Sequence, residues 1–574
     1  MVRSRTPIAL LALLIGASAA LAQDRLQSSD LLKLRSVSAV EVSPDAARVA
    51  YTVENNDGEG RPYGQLWVMT LADGKTTRLG GEKEPSGNPT WSRDGQWIAY
   101  RGRVGDKSGL AIAHPDGSGA RFLAEMSGTN SPLPTTGNAV TWSPDGKRIA
   151  FVSSVPGPET ADATGDPIVI TRYLYKPDAA EGNTRFNDNR RLHLFVVDVA
   201  FGRIDQLTDG AHYEHSIDWS PDGEEIAFVS NREPNEDQFF NYDLFALKVS
   251  DKSIRRLTST ENAEYRPRWS PDGKTIAYLA TKRGLTDLET TMEDTHVWVV
   301  GADGTNRREL GRGIDNRQGA PEWSADGRAV LFTVQERGNA HLYRLPVNCG
   351  GGAEASGRRS PAEGGCQAEK IGGEIGTVGS FSTAKGVIAY TLSTPSDQSQ
   401  LYVAGRKLTD LNADLLRGKR LADVEAFTFV SNDNKFDVEA FLTRPGGCSE
   451  TTKCPLIVNI HGGPHGQQGP AFNFKNQVYA ARGWATLMVN YRGSTGYGQV
   501  FTDAVFADQN GNEAQDVLYA LSAAMRRHQW IDRDRLGVEG TSYGGQLSAW
   551  LITQTSIFKA AIPTAAIINL ISYN

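Results

Sequence analysis

The stretch LGVEGTSYGGQ at 536–546 sets the pattern G-x-S-x-G between a short apolar strand and an apolar run at 547–552. In a chain with 60 glycines among 574 residues the pattern alone is weak. Its setting, strand then sharp turn then helix, is the context the pattern requires. Gly540 and Gly544 flank Ser542 because such an elbow holds the serine in an uncommon backbone conformation, where strand and helix pass too close for a Cβ. The N-terminus of the following helix turns free N–H groups toward negative charge that develops beside Ser542. The stretch therefore predicts a nucleophilic Ser542 at the end of a strand in a parallel α/β sheet.

Upstream, the apolar strand LIVNI at 456–460 runs into the loop HGGPHG at 461–466. A loop of this kind presents a backbone N–H to an oxyanion, and acyl-transfer sites pair it with the N–H that follows the nucleophile. The candidate donors are Gly463, with Gly462 second, and Tyr543. TLMVN at 486–490 reads as another buried strand, and Ala514, Val517, Leu518, Leu521, Ala524 and Met525 recur at helical spacing. Strand, helix, strand, helix, strand-elbow is a parallel α/β order. The 32 residues after Ser542 contain no His, Asp or Glu. His461 and His465 precede the elbow on the oxyanion side, so they are expected to hold the glycine loop rather than to act as the base. The chain is expected to be the front portion of an intact enzyme, incomplete at its C-terminus and catalytically inactive as it stands. Only one further strand, near 558–563, follows the elbow helix, so that sheet edge is expected to be uncovered and sticky.

The N-terminal half repeats itself. WSRDG at 91–95, WSPDG at 142–146, 219–223 and 269–273, and WSADG at 323–327 are spaced by 51, 77, 50 and 54 residues, each followed by an alternating apolar strand. Weaker copies at 42–45 and around Phe381-Ser382 bring the count to seven. A repeat of this period signals a solenoid or propeller, and each unit, strand, Asp-Gly turn, strand, must bury its faces against neighbours. A closed ring of seven blades is the economical expectation. The long interval holds PGP at 156–158 and YLYK at 173–176, and reads either as a hairpin reaching the second domain or as a surface embellishment.

On HGGPHG at 461–466, NYRGSTGYG at 490–498 and GTSYGGQ at 540–546, the segment from about 423 to 574 resembles the catalytic domain of the prolyl oligopeptidase family of serine peptidases. It is most similar to the acylaminoacyl-peptidase and dipeptidyl-peptidase branch, and the resemblance extends through the repeats. Thr541 stands where the family often has Gly, and the family's Asp and His after the serine are absent. The resemblance implies an all-β seven-bladed propeller over 23–415 with a short N-terminal extension, then an α/β-hydrolase domain over 416–574. It implies hydrolysis of short peptides through an acyl-enzyme on Ser542, with the Tyr543 and Gly463 amides on the oxyanion and the propeller as a lid. No cofactor is implied. A dipeptidyl-peptidase role is expected, with acylaminoacyl-peptidase as the alternative. A binding-only periplasmic propeller is the reading of another class, but such an adaptor has no reason to carry HGGPHG and GTSYGG in this order. An esterase of the same fold would not usually bring seven repeats.

Residues 1–22 read as an export leader, with Arg3 and Arg5 ahead of an apolar run and ALA at 20–22 as the cleavage signal. The mature chain is expected to begin near Gln23, in a bacterial periplasm, without a membrane anchor. The formal charge of −7 becomes −9 without the leader arginines, so no basic field favours nucleic acid or anionic lipid. A homo-oligomer is allowed by this composition. Cys349 with Cys366 and Cys448 with Cys454 are the expected local disulfides; four separate core cysteines are the alternative. No metal site is expected: none of the cysteines forms C-x-x-C, and His212-Tyr-Glu-His215 lacks a zinc-helix context. Glu233, Glu236 and Asp237 read either as an anchor for a peptide amino terminus or as a solvated loop between blades.

Overall fold

The computed structural model describes residues 25–130, 137–161, 172–173, 187–281, 285–286, 293–348 and 367–569. The leader and the pair Cys349 and Cys366 lie outside these residues, as does most of YLYK.

The repeats fold as small antiparallel sheets. In the first, Arg35–Val42, Arg48–Asn55, Tyr63–Thr70 and Thr76–Leu79 pair in chain order. The Ser-x-Asp-Gly turns form because their own side chains satisfy the chain reversal. Ser143 Oγ donates to Asp145 Oδ1 (2.6 Å), the Arg148 N–H donates to Ser143 Oγ (2.9 Å), and the Lys147 N–H donates to Asp145 Oδ1 (3.1 Å). The same Ser–Asp bond recurs at 2.5–2.7 Å at Ser43, Ser92, Ser220, Ser270 and Ser324. The first strand of each unit touches the first strand of the next, and Val40 and Val42 donate backbone N–H groups to Ser380 and Ser382, which closes the ring.

The expectation of seven separate blades is corrected. Among the described residues five four-stranded sheets stand apart, whereas the last two repeats, 322–372 and 377–407, share one eight-stranded sheet. The reason is a short fourth strand. Glu369–Gly372 covers the edge of Asn339–Pro346 only around 342–344, and Ala340 beyond it pairs with Thr377 of the next unit.

The second domain is a six-stranded sheet. Its strands are β1 (Asp423–Val430), β2 (Asp437–Arg444), β3 (Cys454–Ile460), β4 (Ala485–Asn490), β5 (Ile531–Thr541) and β6 (Ala560–Thr564), in the order β1-β2-β4-β3-β5-β6. β4, β3, β5 and β6 run parallel, as the alternation of strand and helix requires. The helices are α1 (Phe474–Ala481), α2 (Gln499–Asp503), α3 (Asn512–Arg527) and α4 (Tyr543–Gln554). Ala514, Val517, Leu521 and Ala524 of α3 are buried with Val458, Leu487 and Val538 of the sheet, so the helical periodicity marks the packed face. Arg492, with its side chain 3% exposed, bridges Asp433 (2.8 Å) and Asp516 (2.8 Å) and ties the β1–β2 turn to α3. Cys448 and Cys454 form a disulfide across the loop entering β3. β6 presents its outer edge without a strand partner among the described residues, and Ile562 on it is 59% exposed. No described helix is long and apolar enough to cross a membrane.

Candidate active site

Ser542 stands between β5 and α4 with φ 58° and ψ −123°, a left-handed conformation that costs on the order of 1–3 kcal/mol for a non-glycine residue. The surroundings hold it there. Its N–H donates to Thr564 O of β6 at 3.0 Å, and its carbonyl accepts from the Gln546 N–H at 2.9 Å. A Cβ on Gly540 would overlap the Gly544 carbonyl, and one on Gly544 would overlap the Ile460 carbonyl of β3. Both glycines therefore permit the close crossing of strand, elbow and neighbouring strand. The side chain of Ser542 is exposed, and among the described residues its hydroxyl makes no hydrogen bond.

The glycine loop lies against the serine: a Cβ on Gly462 would sit 3.2 Å from Ser542 Cβ. Gly463, at φ 130°, and Tyr543, the first residue of α4, have backbone N–H groups without a partner among the described residues. Two unpaired donors beside an exposed hydroxyl, one of them at a helix N-terminus, form a place where negative charge is favoured.

The histidines of the loop face inward. His461 stacks on Tyr491 at 4.4 Å, with Nδ1 2.8 Å from Gly462 O and Nε2 2.9 Å from Ser494 Oγ. Burial pulls its pKa down to about 4, so the ring is neutral near pH 7. His465 Nδ1 lies 2.9 Å from Gly493 O. Neither ring is hydrogen-bonded to Ser542.

Residues without a sequence signal complete the support. Tyr543 OH donates to Glu513 Oε1 at 2.7 Å, and the Glu513 carboxylate also accepts from the backbone N–H groups of Asn510 and Gly511. Burial raises the Glu513 carboxyl pKa, and Tyr543 is raised far above its ordinary range by burial and by that neighbour. Gln546 Nε2 donates to Asn510 Oδ1 at 3.3 Å, which fastens the same loop to α4. Ser494 is legible only as part of NYRGSTGYG, where nothing marks it as the partner of His461. The remaining candidates do not converge here. His212 lies 3.3 Å from Glu236, and His215 contacts Ser216 and Tyr242. Glu236 and Asp237 accept from Arg172, while Glu233 accepts from Asn241, so Arg172 already answers the charge of the acidic pair. Among the described residues no group of three or more His, Cys, Asp or Glu is placed to hold a metal ion.

The sequence profile of the prolyl oligopeptidase family matches residues 470–574, and that of the TolB beta propeller domain matches 171–297. The uncharacterized peptidase YuxL of Bacillus subtilis is 33% identical over 95% of this chain and 83% of its own. The chain belongs to the prolyl oligopeptidase family. As a member it is a serine peptidase, a hydrolase, built as a propeller followed by the family's hydrolase domain. Another relative of this family member, dipeptidyl-peptidase 5 of Trichophyton schoenleinii, is 26% identical over 45% of this chain and 34% of its own. Among solved structures, an acylaminoacyl peptidase of Pyrococcus horikoshii shares the fold with a TM-score of 0.74. It is 21% identical and covers 92% of this chain and 77% of its own.

Proposed function

We propose that this peptidase cleaves short peptides through an acyl-enzyme on Ser542, releasing dipeptides from a free amino terminus. The exposed serine held at φ 58° on the N-terminus of α4, against the Gly462–Gly463 turn, carries this reading. Ser542 Oγ attacks the scissile carbonyl carbon, and its proton passes to a base and then to the leaving amine. The Tyr543 and Gly463 N–H groups receive the oxyanion. Glu513 fixes Tyr543 through its phenol, and Ser494 fixes His461 at the root of the glycine loop. The propeller restricts access to short chains. Release of acylated amino acids is the second reading, favoured by the fold shared with the acylaminoacyl peptidase. We also propose that the protein is exported and works in an oxidising compartment, which the Cys448–Cys454 disulfide favours.

Among the described residues no proton acceptor touches the Ser542 hydroxyl. A fluorophosphonate probe followed by peptide mapping should label Ser542 in the full chain and leave Ser542→Ala blank. Labelling of another residue, or labelling that survives in Ser542→Ala, refutes the assignment. A p-nitroanilide of a free dipeptide compared with that of an N-acetylated amino acid decides between the two readings of specificity.

A further inference from the structure

The two limbs of the glycine loop that carries Gly463 are held differently. At its root, Tyr491 OH donates to His461 O at 2.8 Å and His461 Nε2 lies 2.9 Å from Ser494 Oγ, both contacts within the hydrolase domain. The far limb leans on the propeller as well. There the His465 carbonyl accepts from Arg317 Nη1 at 3.4 Å, and the Gly466 carbonyl accepts from the Thr495 N–H at 2.9 Å. Arg317 belongs to the propeller, and so does Gln335, whose Oε1 accepts from Thr495 Oγ1 at 2.5 Å. Two propeller side chains therefore bear on two consecutive carbonyls, Arg317 directly and Gln335 through the fully buried Thr495.

Both side chains are themselves braced. The Gln335 N–H donates to Arg317 O at 3.0 Å, which sets the two residues side by side. Arg317 Nε donates to Asp294 Oδ1 at 2.9 Å, and the Asp294 side chain is 1% exposed. The next residue, Gln318, is also buried; its Oε1 accepts from the Val297 N–H at 2.8 Å and its Nε2 donates to Gly311 O at 2.9 Å. The segment that presents Arg317 is thus fixed within the propeller, and a side chain whose rotamer freedom is already lost can transmit a position to what it touches.

Between these contacts and the oxyanion donor the chain has no slack. A Cβ on Gly463 would lie 2.5 Å from His465 N and 3.3 Å from Gly466 N, and the Gly466 N–H donates to Pro464 O at 2.9 Å. A displacement of residues 465 and 466 is therefore passed on to Gly463. Its N–H has to lie within hydrogen-bond reach of the oxygen on the carbon that Ser542 attacks, so a small displacement there is felt in the rate.

We propose that Arg317 and Gln335 are positioning residues for the oxyanion donor: through them the propeller sets the Gly463 N–H against Ser542, and the oxyanion site is complete only when the two domains are docked. The catalytic consequence rests on the proposed acyl-enzyme chemistry; the hold on the loop rests on these contacts alone.

Hydrogen exchange of the full chain at pH 7, read by mass spectrometry on the peptide spanning 461–468, tests the hold, and fluorophosphonate labelling of Ser542 tests its consequence. Gln335→Leu removes the acceptor of Thr495. It should raise exchange in that peptide about tenfold and lower the labelling rate at saturating probe about fivefold, with the half-saturating probe concentration unchanged. Gln335→Glu keeps an acceptor for Thr495 and should bring both values to within about twofold of the wild type. Arg317→Met, made together with Asp294→Asn so that no buried carboxylate loses its counter-charge, should repeat the changes seen in Gln335→Leu. Asn316→Ala breaks a contact between the same domains, on the Gly498 N–H (2.9 Å), away from the glycine loop. It should leave both values within about twofold of the wild type, which a general loosening of the domains would not. Unchanged exchange in the Gln335→Leu and Arg317→Met chains, an equal response to Asn316→Ala, or no recovery in Gln335→Glu overturns the proposal. So does faster exchange with an unchanged labelling rate in a wild type that labels. If the wild type does not label at Ser542 while exchange still rises in the variants, the acyl-enzyme reading fails and the hold on the loop stands; a labelled wild type with exchange indifferent to the variants refutes the hold alone.

Discussion

Ser542 holds a strained backbone conformation, φ 58° with ψ −123°, at the point where chemistry is proposed, and the neighbouring glycines determine whether that strain is tolerable. Gly544 crosses the end of β3 so closely that a Cβ there would meet the carbonyls of both Ile460 and His461. Gly544→Ala should therefore cost about 2–3 kcal/mol, read as a lower urea midpoint, and should abolish fluorophosphonate labelling of Ser542 through displacement of the elbow. His461 makes a second prediction at this scale. Its pKa is about 4 in the folded protein and near 6.5 when unfolded, so below pH 6.5 the unfolded chain takes up a proton that the folded chain refuses. Stability should fall as the pH drops from 6.5 to 4, by at most about 3 kcal/mol from this group. Urea melts of the wild type and His461→Gln across that range give the contribution by difference; parallel curves would show that His461 does not titrate as described.

At the scale of elements, what could be read from the sequence was what each element states with its own residues. The Ser-x-Asp-Gly turns were legible because the serine and aspartate that form the turn are themselves the repeated letters. The elbow was legible because the steric demand of its crossing admits only glycine at 540 and 544. The merging of the last two repeats was not, since it depends on a fourth strand too short to cover its neighbour, and strand length is weakly encoded. The role of Glu513 was hidden for a related reason: it caps backbone N–H groups and a phenol 30 residues away, with no local pattern. The Cys448–Cys454 disulfide was anticipated from spacing, and its effect can be measured on β3, whose entrance it closes. With a separation of six residues it should contribute about 2 kcal/mol by constraining the unfolded chain. Urea unfolding with and without reductant should show that difference, and Cys448→Ser with Cys454→Ser should reproduce the reduced protein; an unchanged midpoint would mean that native contacts already fix the loop.

At the scale of the whole molecule, the loops beside Ser542 are also the surface on which the two domains meet. Gly498 N–H donates to Asn316 Oδ1 (2.9 Å), Gly338 N–H to Gln467 Oε1 (3.0 Å), Gln467 Nε2 to Asn339 O (2.7 Å) and Arg317 Nη1 to His465 O (3.4 Å). Most of these bonds end on backbone groups, which leave no residue signature, so the interface could not be read from the sequence. A second attachment joins Leu26 and Leu34 of the N-terminal segment to Phe472 and Val478 near α1. The contact between Gly338 and Gly469 is the tightest point, because a Cβ on Gly469 would run into the Gly338 carbonyl. Gly469→Ala should force the two surfaces apart at a cost of about 2–3 kcal/mol while leaving each domain's own core untouched. Scanning calorimetry should then resolve two transitions where the wild type is expected to give one, and Ser542 labelling should slow because the glycine loop loses its hold on the propeller. A single transition at the wild-type temperature would show instead that the domains do not depend on this contact, and that the catalytic loops are ordered by the hydrolase domain alone.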